Sequence, residues 1–197
     1  GVPDEMKMMV KNNLLPKLKK KLKKIKYNKI ISTIGISESK IEKIIAKNFN
    51  TNKKVNVGYY PSYYGVKINI STNNAKDLDI LVDGLKKKLS EYIYSFKNEK
   101  LEEVLVKLAI KNKLTFSFAE SCTGGLISDR VTNVSGSSKV FKGSIISYSN
   151  KSKIDLLNIK NSTLKTFGAV SEATAILMAK NAVFSFKTDY AVAVTGI

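Results

Sequence analysis

The chain has 197 residues, 43 % of them hydrophobic, which suffices for one ordinary core or two small ones and excludes wholesale disorder. It contains no histidine and a single cysteine, Cys122. A Ser–His–acid triad, histidine-ligated zinc, a cysteine-rich metal site and an intrachain disulfide framework are therefore excluded. No run of 18 apolar residues exists to span a bilayer, and residues 1–9 lack the apolar core of a signal peptide. A cytoplasmic, reducing compartment is the expected location.

Thirty-four basic residues against 16 acids give a net charge of +18, and Arg130 is the only arginine. A positive field suits phosphates and nucleic acid. Nucleic-acid surfaces often add arginine forks and stacked aromatics, which this chain mostly lacks. A lysine- and asparagine-rich background is the plainer explanation, with a nucleic-acid partner as the alternative. Residues 1–98 carry 21 lysines against 8 acids, and residues 99–197 carry 13 basic residues against 8 acids. With a change of sequence texture at the same point, this puts a domain boundary near Asn98 and Glu99.

Taken in chain order, Leu15, Leu18, Leu22 and Ile25 make a helical stripe with Pro16 in its first turn and lysines on the other faces. A connecting helix with a solvated face is expected. Ser37 is placed to cap a helix running to about Phe49, with Ile41, Ile44 and Ile45 inward. Val55, Val57 and Tyr59 alternate, as do Val66, Ile68 and Ile70, predicting two strands around a turn at Pro61-Ser62. Leu78, Leu81, Val82, Leu85, Leu89 and Ile93 form a second helical stripe. The unit reads as a small two-helix α/β domain. Tyr59, Tyr60, Tyr63 and Tyr64 gather at the hairpin tip, where packing within the hairpin is favoured over stacking on bases. No Gly-x-x-Gly loop is present to grip a nucleic-acid backbone.

The second half alternates strand and helix. Leu101, Val104, Leu105 and Leu108 predict an entry helix, and residues 114–119 a strand. A helix opens at Gly124-Gly125, and residues 140–148 predict another strand. Ser171 starts a helix over 173–185, and residues 190–194 read as a short strand of the buried, parallel-sheet kind. The fold class is α/β: a three-layer doubly wound C-terminal domain preceded by the small two-helix α/β domain.

Chemistry concentrates at Ala119-Glu120-Ser121-Cys122-Thr123-Gly124-Gly125, between a strand and a helix. Ligands of open α/β sheets sit at the C-terminal ends of strands, and paired glycines allow close approach to a backbone whose N–H groups receive anions. The motif is not a P-loop, because no Gly-Lys-Ser/Thr follows. A turn with a simple hydroxyl cap fits the same residues. Without histidine a hydroxyl nucleophile needs another base, and a lysine of depressed pKa can serve with help from a tyrosine. Tyr148-Ser149-Asn150-Lys151-Ser152-Lys153 offers Tyr148 and Lys153. Carboxylates near these motifs are few, so no metal is expected. The chain stops at Thr195-Gly196-Ile197, at the mouth of a strand, and a truncated domain is the expectation.

These stretches, together with Gly136-Ser137-Ser138 and Gly168-Ala169-Val170-Ser171-Glu172, resemble the C-terminal domain of the competence-damage-inducible protein A family. Its members include nicotinamide-mononucleotide deamidases. Gly1-Val2-Pro3-Asp4-Glu5-Met6 resembles the close of the family's N-terminal molybdopterin-binding-like domain, and Gly35-Ile36-Ser37-Glu38-Ser39 the start of its small central domain. The resemblance divides the chain into 1–12, the tail end of an absent domain; 13–98, a linking helix and central α/β domain; and 99–197, an amidohydrolase-like domain incomplete at its C-terminus.

The resemblance implies hydrolysis of nicotinamide mononucleotide to nicotinate mononucleotide and ammonia, with no cofactor and no metal. Ser121, Tyr148 and Lys153 are then the catalytic candidates: Ser121 attacks, Lys153 acts as base and the Tyr148 phenol assists. Glu120, Thr123, Gly124, Gly125, Ser137, Asn150 and Thr195 are the candidates for holding substrate. The partners implied are the pyridine mononucleotide and, in the full-length parent, a second copy of the chain. The alternative is an inactive fragment whose basic first half is structural, supports a dimer or binds nucleic acid.

Overall fold

The computed structural model describes residues 3–21, 27–49 and 55–196, without the side chains of residues 19–21. The chain divides into two compact units, Gly1–Asn98 and Glu99–Ile197.

The first unit opens with helix α1 (Pro3–Met9), which runs through a π-helical turn (Val10–Leu14) into helix α2 (Leu15–Lys21). Pro16 lacks the N–H that would close an ordinary helical turn onto residue 12, and the widened turn directly precedes it. None of α1 or the π turn is buried, and Leu15 and Leu18 are exposed as well. Leu22 and Ile25 of the predicted stripe lie outside the described residues.

The rest of the unit is strand β1 (Tyr27–Thr33), helix α3 (Glu38–Asn48), strands β2 (Val55–Ser62) and β3 (Gly65–Thr72), helix α4 (Ala75–Lys88) and the short strand β4 (Ile93–Ser95). The sheet order is β2-β3-β1-β4, and every pairing is antiparallel. Alternation sets the core: Val66, Ile68 and Ile70 of β3 and Ile31 of β1 are buried on the face that receives Ile41 and Ile45 of α3 and Leu81 and Leu85 of α4. Each such aliphatic side chain contributes about 1.5–3 kcal/mol by leaving water. Asn74 caps α4 by accepting from the Lys76 N–H.

Three sequence expectations change here. The hairpin turns at Tyr63 and Tyr64, not at Pro61-Ser62, which extend β2. Ile93 belongs to β4, because α4 ends at Lys88. Strand β1 carries Asn28, Lys29, Ser32 and Thr33, and its mixed polarity hides it from an apolar-pattern search.

The second unit comprises helix α5 (Leu101–Asn112), strand β5 (Phe116–Glu120), helix α6 (Leu126–Thr132), a 3-10 turn (Ser137–Lys139), strand β6 (Phe141–Ile146), helices α7 (Asn150–Leu157), α8 (Asn161–Phe167) and α9 (Glu172–Phe186), and strand β7 (Tyr190–Val194). The sheet is parallel, ordered β6-β5-β7, so β5 is central and buried throughout. One face carries Phe116 and Phe118, packed with Phe141, Val106 of α5 and Val131 of α6. The opposite face carries Ala119, packed with Leu157, Leu164, Met178 and Ala182 from α7 to α9. This is a three-layer α/β arrangement. Among the described residues β7 pairs with β5 alone, and Tyr190 and Val192 are exposed.

Candidate functional site

Three strands end side by side. The Ser121 N–H donates to Val194 O at 2.9 Å and the Ser147 N–H donates to Glu120 O at 2.7 Å, so the ladder carries on one residue beyond β5 and β6. Ser121, Ser147 and Thr195 thus share the C-terminal edge of the sheet.

From Ser121 the chain turns sharply into α6. Gly124 and Gly125 supply the turn with φ of +57° and +102°, the left-handed region where a side chain is strained. Glu120 fixes that turn from below. In β5 its side chain falls on the same face as Phe116 and Phe118, under α6, and it is 0 % exposed. Its Oε2 accepts from the N–H groups of Gly125 at 3.0 Å and Ile127 at 3.1 Å. Its Oε1 accepts from the Ser128 N–H at 2.9 Å and from the Ser128 hydroxyl. Burial pushes this carboxyl up, but the hydrogen bonds from Ser128 and its neighbours outweigh it and hold the group below the ordinary carboxylate range. The buried Thr123 hydroxyl leans on the same carboxylate without a well-formed hydrogen bond.

The turn's donors can be accounted for one by one. Gly124 N–H donates to Ser121 O, Leu126 N–H to Thr123 O, and Gly125, Ile127 and Ser128 N–H to Glu120. Between Ser121 and Ser128 this leaves the N–H groups of Cys122 and Thr123, immediately after the serine, without an acceptor among the described residues.

Lys153 arrives from the other side of the sheet. Ser149 caps α7 by accepting from the Ser152 N–H, and one turn later the Lys153 side chain passes into the protein with 1 % exposure. Its Nζ lies 2.8 Å from Ser121 Oγ, 2.8 Å from Ser147 O and 3.2 Å from Tyr148 O. Ser121 is itself only 4 % exposed. Burial pushes the Lys153 amine below the usual lysine range, with the Cys122 thiol group acting in the opposite direction.

The structure therefore brings Ser121 and Lys153 together and gives other places to several predicted residues. Tyr148 is 77 % exposed, and what reaches Lys153 is the Tyr148 carbonyl rather than the phenol. Glu120 has both oxygens engaged by the α6 N-terminus and is closed to a substrate. Gly124 and Gly125 shape the turn, but their N–H groups are taken. Ser137 precedes β6, so in a parallel sheet it stands at the N-terminal edge, the opposite end from Ser121. Asn150 is exposed at the start of α7, on the Ser121 edge. Thr195 is on that edge too, and its hydroxyl donates to Ala169 O at 2.8 Å, tying β7 to the loop before α9. That loop is braced by Ser171 and Thr174, whose hydroxyls both donate to Gly168 O. Sequence reasoning missed Ser128, and it missed that the main chain of Ser147 and Tyr148 grips the lysine. No group of three or more His, Cys, Asp or Glu placed to hold a metal occurs among the described residues.

The family profile described as "CinA C-terminal domain" matches residues 98–197, and "Damage-inducible protein CinA KH domain" matches residues 28–95. A "Putative competence-damage inducible protein" of Caldicellulosiruptor saccharolyticus is 39 % identical over the whole of this chain and 49 % of its own length. A "CinA-like protein" of Thermosipho melanesiensis is 44 % identical over the whole of this chain and 48 % of its own length. The chain thus spans about half the length of the curated relatives it matches. Among solved structures, competence/damage inducible protein CihA from Agrobacterium tumefaciens is similar over 49 % of this chain and 61 % of its own, at 44 % identity and a TM-score of 0.46.

Proposed function

The chain belongs to the CinA family, and from that premise we propose that its second unit is a serine–lysine amidohydrolase that deamidates nicotinamide mononucleotide to nicotinate mononucleotide. The observation that carries the proposal is the buried 2.8 Å contact between Lys153 Nζ and Ser121 Oγ. A neutral amine has two N–H bonds and one lone pair. The carbonyls of Ser147 and Tyr148 accept the two N–H bonds, which leaves the lone pair for the Ser121 O–H.

Ser121 then gives its proton to Lys153 as its oxygen bonds to the carboxamide carbon. The oxyanion is received by the N–H groups of Cys122 and Thr123. Collapse breaks the C–N bond, the Lys153 proton leaves with the nitrogen as ammonia, and an acyl-serine ester remains. Water, deprotonated by Lys153, attacks the ester and releases the carboxylate, and the proton returns to Ser121. The substrate's pyridine and phosphate are inferred from the family resemblance, and the dyad supplies the amide chemistry. No cofactor enters the scheme.

The test is ammonia release from nicotinamide mononucleotide by the full-length protein. Ser121→Ala and Lys153→Ala are each expected to lower kcat by about 10³-fold or more. Unchanged rates in both variants would remove the roles given to these residues. A folded protein that releases no ammonia would remove the substrate.

A further inference from the structure

Among the described residues of the second unit, Thr123, Ser144 and Ser147 have buried hydroxyls without a hydrogen-bond partner. A buried hydroxyl left unpaired costs stability, so its presence calls for a reason. Thr123 leans on Glu120, and Ser144, paired with Phe118, lies on the α6 face of the sheet. Ser147 differs from both. It is 0 % exposed, and its main chain is part of the grip on Lys153.

The sheet sets the direction of that side chain. Ala119 pairs with Ile145, and both pack against α7 to α9. Two residues on, the ladder still holds through the Ser147 N–H and Glu120 O, so Ser121 and Ser147 continue the alternation and turn to that same face. Lys153 enters from α7 on this face and meets Ser121 Oγ and Ser147 O, each at 2.8 Å. Rotation about the Cα–Cβ bond of Ser147 swings its hydroxyl towards or away from the same amine.

A neutral Lys153 accepts the Ser121 O–H in the resting dyad. Once Ser121 carries the acyl group its oxygen has no hydrogen, and the buried amine loses that donor. We propose that Ser147 is a positioning residue for Lys153, its hydroxyl donating to the amine while Ser121 is an ester. No proton is transferred in this contact: the hydrogen stays on Ser147 Oγ and the amine stays neutral. Without the donor the amine turns from the ester or takes a proton from solvent, and an ammonium cannot deprotonate water. Ser147 thus keeps Lys153 in place until water displaces the hydroxyl and gives its proton to the same lone pair. The inference rests on the serine–lysine reading of this unit and adds a second serine to it.

The experiment compares full-length wild type, Ser147→Ala and Ser147→Thr on nicotinamide mononucleotide, by steady-state ammonia release and by mass spectrometry of protein quenched during turnover. Slower hydrolysis of an acyl-enzyme lowers kcat and KM together and leaves kcat/KM in place, because kcat/KM reports the steps up to acylation. Ser147→Ala is expected to lose about tenfold in kcat, the rate equivalent of one neutral hydrogen bond, with kcat/KM kept within about twofold and more of the protein carrying the acyl mass. Ser147→Thr keeps the hydroxyl and is expected to restore most of kcat. The alanine variant removes one buried atom that has no partner, so the fold is expected to hold, and a thermal melt checks it. Should it misfold, Ser147→Cys, close in shape and a weak donor, is expected to move the same quantities several-fold. A folded variant with wild-type kcat and no added acyl mass, or one whose kcat/KM falls as far as its kcat, would overturn the role of Ser147 and leave the dyad standing. A wild type that releases no ammonia would overturn the substrate reading and this role with it.

Discussion

Lys153 Nζ and Ser121 Oγ are 2.8 Å apart although 32 positions separate them in sequence, and both side chains are closed to solvent. The contact follows from topology. Ser121 ends the central strand and Lys153 sits one turn into the helix after its neighbour, so a parallel sheet delivers both to one edge. An ammonium could donate to all three surrounding oxygens. A neutral amine would donate to the two carbonyls and accept from the hydroxyl, and burial pushes the amine towards that form.

The first consequence is a pH profile. The reactive form has Lys153 deprotonated, so kcat/KM is expected to rise about tenfold per pH unit and then level off. The midpoint of that rise is expected below about 10.4, the value of an unperturbed lysine. A profile measured from about pH 5 to about pH 11.5 decides this. A midpoint at or above about 10.4 would show that the Lys153 amine is not shifted downward.

The same shift has a stability signature. Lys153 has its pKa lowered on folding, so the unfolded chain binds more protons between the folded value and about 10.4. The cost of burying the amine is therefore fully present below the folded value and disappears as pH rises through that window. Wild-type stability, relative to Lys153→Met, is expected to improve with rising pH by up to about 1.4 kcal/mol per pH unit there. Denaturant melts of both proteins at several pH values measure the difference, and a pH-independent gap would rule the shift out.

Glu120 stabilises the fold where burying the Lys153 amine costs, and its pH dependence has the same sign. Its carboxylate accepts from three N–H groups and the Ser128 hydroxyl. In Glu120→Gln one end of the side chain becomes a donor facing donors. A loss of about 2–3 kcal/mol is expected, the scale of hydrogen bonds to a charged group. With its folded pKa depressed, Glu120 stabilises the wild type above the ordinary carboxylate value of about 4.3, and that contribution is lost as pH falls through the folded value. Acid unfolding should accordingly begin at a pH where Glu120→Gln shows little further change. A variant as stable as the wild type at pH 7 would show that the clamp on α6 is idle.

Much of this was legible in the sequence. The strand–turn–helix passage at Glu120 to Gly125 announces itself by its glycines, and the absence of histidine narrows the base to a lysine near a strand end. Glu120 could also have been placed. Alternation continues the Phe116 and Phe118 stripe onto it, which marks a buried carboxylate and not a ligand at the rim. Ser137 carried a similar signal, because successive loops of a parallel α/β unit fall at opposite ends of the sheet. Two things were not legible. Side-chain direction beyond a strand end depends on the local turn, which hid the outward course of Tyr148. The carbonyls that grip Lys153 belong to Ser147 and Tyr148, and a main-chain role leaves no mark on residue type.

Tyr148 gives the clearest separation of the sequence-based expectation from the geometry. As a phenolic assistant to Lys153 it would be needed for proton transfer, and Tyr148→Phe would cost about 10²-fold or more in kcat. Tyr148 is 77 % exposed, and what reaches Lys153 is its carbonyl, which phenylalanine keeps. Tyr148→Phe is therefore expected to retain kcat within about threefold and to leave the plateau of the pH profile in place. Any residual role for the ring would lie in contact with substrate and would appear in KM. Steady-state kinetics of the full-length protein on nicotinamide mononucleotide distinguishes the two, and a collapse of kcat with KM unchanged would return the phenol to the reaction.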